Sequence, residues 1–179
     1  MSRVVTGMSD KRILVAGIGN LFLGDDGFGV EVARRLAALQ QPDGVWIEDF
    51  GIRGLDLVYA LLDPLEAAIF IDTAPRGGAP GTLYLIEVEQ PTPETASAGL
   101  DAHGMDPVKV LALAKSLGSM VERTYVVGCE PGFMPPPDSE DVVQELTAPV
   151  EAAVEEALVL VQSLIKRIIV SQEMTGGLF

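Results

Sequence analysis

Cysteine, histidine and positive charge are scarce in this sequence. The 179 residues include one cysteine, Cys129, and one histidine, His103, with 12 Lys and Arg against 26 Asp and Glu. A single cysteine excludes an intramolecular disulfide. A formal net charge of −14, with no basic stripe, argues against nucleic acid as a partner. The same charge favours a cation, or a protein with a basic segment.

Long apolar stretches are also missing. The most hydrophobic late segment, residues 157–170, contains Lys166 and Arg167 and is too polar to span a bilayer. Residues 1–12 are polar and lack the apolar centre of a signal peptide. We therefore expect a cytoplasmic protein with no membrane partner.

Aromatic residues make up only 6% of the chain, whereas hydrophobic residues make up 48%. The core should therefore be aliphatic, and this length is enough to bury one core without a disulfide or a structural metal. We expect a single domain at residues 12–170. A flexible N-terminal segment, residues 1–11, should precede it, and a C-terminal tail, residues 171–179, should follow it.

Short apolar runs alternate with segments of helical periodicity along the chain. Because only residues 73–81 connect the third and fourth strands, too few for a helical crossover, the fourth strand should be antiparallel. The pattern predicts a three-layer α/β/α sandwich around a five-stranded, mostly parallel sheet. The predicted strands are residues 12–17, 44–49, 67–72, 82–88 and 122–128, and the predicted helices are residues 28–39, 55–62, 107–117 and 148–168.

Ligands of such sheets bind beyond the carboxyl ends of the strands. The glycine-rich loop after the first strand contains Asp25 and Asp26, Asp72 ends the third strand, and His103 precedes the third helix. Two carboxylates and an imidazole on one rim suit a divalent transition metal of the nickel or zinc type. Two carboxylates about 4 Å apart repel by roughly 4 kcal/mol at an effective dielectric constant near 20, and a cation would remove that penalty.

Each of these residues also has a structural interpretation. Asp25 or Asp26 could cap the helix that starts near Gly27, and Asp72 could close a turn. A lone histidine such as His103 is more often a helix-flanking surface residue than a ligand. The structural roles of these residues therefore stay open beside the metal-binding one.

Two other chemistries compete for the same loops. Gly17-x-Gly19 after a strand is similar to a dinucleotide fingerprint, but Phe22 stands where the third glycine should be. Cys129 could act as a nucleophile with His103 as its base, although a cysteine at a buried strand end is more often a core residue. Both are weaker interpretations than the metal site.

The run Arg12-Ile-Leu-Val-Ala-Gly-Ile-Gly-Asn-Leu-Phe-Leu-Gly-Asp-Asp-Gly-Phe-Gly-Val30 closely resembles the N-terminal signature of the hydrogenase maturation proteases. The order of the later features also matches, from Asp72 through Asp101-Ala-His103-Gly-Met-Asp-Pro to Val126-Val-Gly128, so that the resemblance covers about residues 12 to 168. It implies a three-layer fold with a five-stranded sheet. It also implies a metal-recognition site formed by Asp26, Asp72 and His103.

The resemblance further implies a nickel-dependent endopeptidase. Such an enzyme removes the C-terminal extension of a [NiFe]-hydrogenase large-subunit precursor, and the nickel cofactor is presented by that substrate. Asp26 and Asp72 would be the catalytic carboxylates of an aspartic-type or metal-dependent hydrolase. A non-catalytic nickel-sensing or metal-delivery maturation factor that binds the precursor is the alternative.

One departure from the family pattern concerns substrate binding. Many relatives carry Asp-Gly-Gly-Thr after the second strand, whereas this chain reads Asp49-Phe-Gly51-Ile-Arg53-Gly54. We expect Asp49, Gly51, Arg53 and Gly54 to contact the precursor. The difference leaves the class of hydrogenase open.

Overall fold

The computed structural model describes residues 12–90, 106–136 and 138–176. These residues form five strands and four helices, with a short 3-10 turn at Gly24–Gly27 before the first helix. The strands are β1 (Arg12–Ile18), β2 (Val45–Gly51), β3 (Leu65–Thr73), β4 (Leu83–Val88) and β5 (Arg123–Cys129), and the helices are α1 (Phe28–Ala37), α2 (Gly54–Ala60), α3 (Pro107–Ser116) and α4 (Ala148–Gly176).

The strands form one mixed sheet in the order β2-β1-β3-β5-β4. β2, β1, β3 and β5 are parallel, and β4 is antiparallel to β5. The predicted fold, a mostly parallel five-stranded sheet with one antiparallel strand, is confirmed. The antiparallel strand follows from the short β3–β4 connection, which cannot carry a crossover helix.

Helices cover both faces of the sheet, which explains why the central strands are almost continuously apolar. Alternate residues of β1 and β3, such as Val15 and Ile69, pack against α1 and α4 on one face. The intervening residues, such as Leu14 and Phe70, pack against α2 and α3 on the other face. The two cores are largely aliphatic, as the low aromatic content predicts.

The last helix is longer than predicted. α4 continues to Gly176, so the tail expected from residue 171 onward begins inside the helix. Residues 1–11 and 177–179, the other predicted flanking segments, lie outside the described residues. Although α4 has 29 residues, neither it nor any other described helix is long and apolar enough to cross a membrane.

Candidate active site

The carboxyl ends of β1 and β3 meet where the connections of the sheet diverge. α1 leads from β1 to β2 on one side, whereas β3 lies on the other side of β1 and continues toward β4 and β5. A divergence of this kind opens a crevice beyond the strand ends. Asp26 lies in the turn that follows β1, and Asp72 lies at the end of β3. The structure brings these two predicted site residues close enough for the charge of Asp26 to act on Asp72.

Close backbone packing places Asp26 at this crevice. Gly19 has φ +128°, and a Cβ atom there would lie 1.8 Å from the carbonyl oxygen of Asp26. A Cβ on Gly29, in the first turn of α1, would lie 2.0 Å from the carbonyl oxygen of Ile71. The two glycines therefore allow the loop after β1 and the start of α1 to press against the end of β3.

Both carboxyl groups are half-buried, and desolvation raises the pKa of each. Burial, with a smaller contribution from the charge of Asp26, raises the pKa of Asp72 to about 7. Hydrogen bonds oppose the shift: the Thr73 N–H donates to Asp72 Oδ1 at 2.7 Å, and the Asn20 N–H donates to Asp26 Oδ2 at 2.8 Å.

Thr73 is a site residue that sequence reasoning missed. Hydrogen bonding from its side chain lowers the pKa of both Asp26 and Asp72. A hydroxyl has one proton to donate, so it can satisfy only one of the two carboxylates at a time. The available signal was its position directly after Asp72 at a strand end.

The raised pKa of Asp72 predicts a pH-dependent stability. Between the ordinary value of 3.8 and the folded-state value of about 7, the folded protein binds more protons than the unfolded chain. The free energy of unfolding therefore falls as the pH rises through this window and levels off above it. We expect the metal-free Asp72→Asn variant to be more stable than the wild type at about pH 8 by about 1–3 kcal/mol.

Urea unfolding in the presence of a chelator measures this difference. The gain should shrink as the pH falls toward about 4, because the folded-state carboxyl group is then neutral and that of the unfolded chain is partly protonated. Asp43→Asn, at an exposed residue before β2, is the matched control and should leave the pH dependence unchanged. Parallel stability curves for Asp72→Asn and the wild type would contradict the prediction.

The donor set at the crevice fits a cation that brings ligands of its own. Asp26 and Asp72 supply two carboxylates, and the charge of Asp106 further raises the pKa of Asp72. Within residues 12–90, 106–136 and 138–176, no group of three or more His, Cys, Asp or Glu is arranged to hold a metal ion. His103, the third predicted ligand, lies outside the described residues, so its convergence with the two carboxylates stays a prediction.

Asp25 has a different role from its neighbour Asp26. It is fully buried, and its carboxylate accepts hydrogen bonds from the N–H groups of Gly132, Phe133 and Thr147 at 2.6–2.8 Å, and from the Thr147 hydroxyl at 2.8 Å. Asp25 thus joins the loop after β1 to the loop after β5. Neither aspartate caps α1, because the residue at the N-cap is Gly27 and no side chain bonds there.

The predicted substrate-binding loop lies on the same rim as the carboxylates. Gly51 ends β2 with φ +55°, and its carbonyl accepts a hydrogen bond from the Gly19 N–H at 3.0 Å. Asp49 forms an ion pair with Arg34 at 3.4 Å. Arg53 stacks over the Phe50 ring at 5.8 Å and bonds the carbonyl oxygen of Asp49. Gly54 begins α2.

The structure disfavours the two competing chemistries. Cys129 is fully buried, and burial raises the pKa of its thiol to about 12, so little thiolate is available for attack near neutral pH. Asp25 and Asp26 stand in the turn before α1, where a dinucleotide would place its negatively charged pyrophosphate. The rim therefore suits a cation better than a phosphate.

Glu130 is a second residue that sequence reasoning missed. Its side chain is buried and accepts hydrogen bonds from the Arg76 and Gly77 N–H groups at 2.8 and 3.2 Å and from the Tyr84 hydroxyl at 2.9 Å. These bonds lower the pKa of the Glu130 carboxyl group. They attach the β3–β4 connection to the end of β5, next to the strand that carries Asp72. The only sequence signal was a charged residue directly after a buried strand.

Comparison with known proteins gives consistent matches. The family model described as hydrogenase maturation protease matches residues 30–164. The hydrogenase expression/formation protein HupD of Bradyrhizobium diazoefficiens is 36% identical over 149 residues, which cover 81% of this chain and 73% of that protein.

Solved structures give the same result. The hydrogenase maturating endopeptidase HybD from E. coli has a TM-score of 0.70 and 28% identity, covering 87% of this chain and 93% of its own. A hydrogenase 2 maturation peptidase from a Thaumarchaeota archaeon has a TM-score of 0.66 and 33% identity, covering 87% and 99%. The α/β fold described above is thus shared with solved maturation peptidases.

Proposed function

Because the chain belongs to the hydrogenase maturation protease family, we propose that it is a nickel-dependent endopeptidase acting on a [NiFe]-hydrogenase large-subunit precursor. It removes the C-terminal extension of that precursor, which allows the hydrogenase active site to close. The observation that carries the proposal is the pair of half-buried carboxylates, Asp26 and Asp72, at the switch point of the sheet. The reaction takes place in the cytoplasm, before any export of the hydrogenase.

A purely structural role for the pair is unfavourable. Desolvation raises the pKa of both groups, and the charge of Asp26 adds to the shift at Asp72. Side chains that only stabilised the fold would not be placed where burial and a neighbouring charge disfavour the ionisation of a carboxyl group. Strongly perturbed carboxyl groups in a crevice are typical of sites that bind a cation or transfer a proton.

The nickel belongs to the substrate in this proposal. It arrives bound to the precursor, and Asp26, Asp72 and His103 complete its coordination, which positions the C-terminal segment across the strand ends. Nickel bound in this way supplies a Lewis acid that polarises the scissile carbonyl or lowers the pKa of a bound water. A free enzyme that contributes only part of the ligand set would therefore recognise loaded precursor and not empty precursor.

Hydrolysis requires one proton acceptor on the enzyme. Asp72, at the end of β3 beside the scissile bond, takes the proton of the attacking water as the water oxygen bonds to the scissile carbonyl carbon. The same proton passes to the leaving amine when the C–N bond breaks. Asp26, held by the Asn20 N–H, keeps the negative charge that faces the cation. Asp49, Gly51, Arg53 and Gly54 contact the precursor beside this site.

Cleavage of purified precursor, with and without nickel, tests the proposal. We expect the wild-type enzyme to shorten the nickel-loaded precursor, seen as a shift on a denaturing gel and as a released peptide by mass spectrometry. Nickel-free precursor should be cut at least about 100-fold more slowly, because metal-assisted electrostatic stabilisation and water activation are both lost.

Two outcomes of this cleavage assay would contradict different parts of the proposal. Equal cleavage of loaded and empty precursor would refute the nickel dependence but not the peptidase activity. Co-elution with the loaded precursor without any size shift would refute the peptidase and favour the non-catalytic nickel-sensing factor.

A further inference from the structure

The longest described connection without helix or strand follows β5. This β5–α4 loop, residues 130–147, is described except for residue 137. Loops longer than about 12–15 residues without secondary structure of their own are uncommon in compact domains and are often functional. The catalytic proposal uses none of its side chains.

The loop is held in place by the loop after β1. Val143 and Leu23 form an isolated parallel bridge, in which the Val143 N–H donates to the Phe22 carbonyl and the Gly24 N–H donates to the Val143 carbonyl. The Asp25 N–H also donates to the Phe133 carbonyl at 3.0 Å. Together with the hydrogen bonds to the Asp25 carboxylate, these bonds join the two loops into one unit beside Asp26.

This unit presents apolar side chains to solvent. Phe22 is 53% exposed, Phe133 52% and Val142 65%, and Met134 is exposed beside Phe133. Large apolar side chains exposed on two joined loops next to a candidate active site indicate a surface that a partner covers. We call these four residues the apolar platform.

The loop that carries most of the apolar platform is also negatively charged. The β5–α4 loop contains no Lys or Arg, and four of its five acidic side chains, Asp138, Glu140, Asp141 and Glu145, are exposed. Counting only the described part of the chain, none of the four forms an ion pair. Exposed acidic side chains without internal counter-charges attract a partner of opposite charge.

The same two loops also line a cleft, together with residues of α1. Its volume is about 420 Å³, and its lining includes Leu21, Leu146, Glu31 and Glu145. Glu31 is paired with Arg35, whereas Glu145 is free to bind a cationic side chain. The cleft thus combines an apolar wall with an acidic one. The aliphatic part of a Lys or Arg side chain would pack on the first, and its charged group would pair with the second.

We propose that the apolar platform and this cleft together form the docking surface for a basic segment of the hydrogenase precursor, with apolar side chains on the platform and a Lys or Arg in the cleft. The inference rests on the proposed function for the identity of the partner. The docking surface lies on the two joined loops, one of which carries Asp26, so docking also positions the precursor at the cleavage site. Docking accounts for the long, ordered loop that the chemistry itself does not need.

Two variants test the two halves of the surface. Phe22→Ser combined with Phe133→Ser removes the aromatic part and keeps every backbone hydrogen bond, whereas Glu145→Lys reverses the charge of the cleft. The matched controls are Met120→Ser, an exposed apolar residue at the opposite rim, and Glu87→Lys, an exposed acidic residue on the edge strand β4. Thermal unfolding should show that all four variants fold.

We expect the double serine variant to raise the KM for nickel-loaded precursor at least about 10-fold, with kcat changed less than about two-fold, because aromatic anchors dominate binding at interfaces. Glu145→Lys should weaken precursor binding about 10-fold at about 50 mM salt and much less at about 300 mM. Binding is measured separately on the inactive Asp72→Asn background by surface plasmon resonance. Both control variants should bind and cleave like the wild type.

The binding and cleavage readouts separate this inference from the proposed function. If the wild type cuts the precursor, and both the double serine variant and Glu145→Lys bind it normally, the docking surface is refuted and the function stands. If the wild type binds through the platform without cutting, the function falls and the docking surface stands. Variants that instead dissociate a dimer of the chain, seen by light scattering, would show that a second copy covers the platform and would refute the inference.

Discussion

Cleavage of nickel-loaded precursor should fall at least about 1,000-fold in Asp26→Asn and in Asp72→Asn, with the fold intact. An amide has nearly the shape of the carboxylate but carries no charge, so it neither balances a bound cation nor accepts the proton of the attacking water. Loss of general base catalysis alone is worth about 100- to 10,000-fold, and loss of a charged ligand adds to it. Single-turnover cleavage followed on a gel measures the effect.

Replacement of the two carboxylates should affect precursor binding to different extents. If Asp26 mainly faces the cation, Asp26→Asn should lose the preference for binding loaded over empty precursor. If Asp72 mainly accepts the proton, Asp72→Asn should keep more of that binding preference than Asp26→Asn does, while cleavage is lost in both. Asp43→Asn, at an exposed carboxylate on the opposite rim, is the control for both. Wild-type cleavage rates in both site variants would remove them from the mechanism.

The same residues connect activity to stability. An ionised Asp72 is disfavoured in the free protein, because desolvation and the charge of Asp26 raise its pKa to about 7. A cation brought by the substrate would reverse that preference, because it interacts favourably with both carboxylates at once. The free enzyme is therefore predicted to be less stable than its inactive Asp72→Asn variant above neutral pH. Binding of loaded precursor should stabilise the wild type more than the variant and so reduce this difference.

Local sequence patterns were sufficient to predict the fold. Runs of Val, Ile, Leu and Ala identified the buried strands, and the brevity of residues 73–81 identified the antiparallel one. The ends of elements were less predictable. Leu39 continues the apolar spacing of α1, but the helix stops at Ala37 and Leu39 is 44% exposed. Spacing shows which residues can share a face, whereas the sheet beneath determines how far that face is covered.

The candidate site was predictable only in part. Topology placed Asp26 and Asp72 at one rim, because the ends of β1 and β3 are neighbours in the sheet. Nothing in the local sequence separated Asp25 from Asp26. The difference comes from Gly132, Phe133 and Thr147, more than 100 residues away in the chain, which satisfy one carboxylate and not the other. Contacts of such long range leave no periodic signature.

Asp25→Asn should destabilise the protein, the reverse of the effect expected for Asp72→Asn. Three donors converge on Asp25 Oδ2 and a fourth on Oδ1, so an amide must turn its N–H₂ group toward at least one donor. A buried group left without its hydrogen bonds, together with the lost charge, lowers the free energy of unfolding by about 2–4 kcal/mol. Urea unfolding at about pH 7 measures the loss.

Asp26→Asn, one residue further along the chain, is the matched comparison. Its carboxyl group is half-buried, has a raised pKa and accepts a hydrogen bond from the Asn20 N–H, so its neutralisation should leave the free energy of unfolding unchanged or increase it. Asp25→Asn should therefore lose stability and Asp26→Asn should lose cleavage. Equal stability losses in the two variants would mean that both aspartates hold the fold together, and the assignment of Asp26 to the chemistry would have to be abandoned.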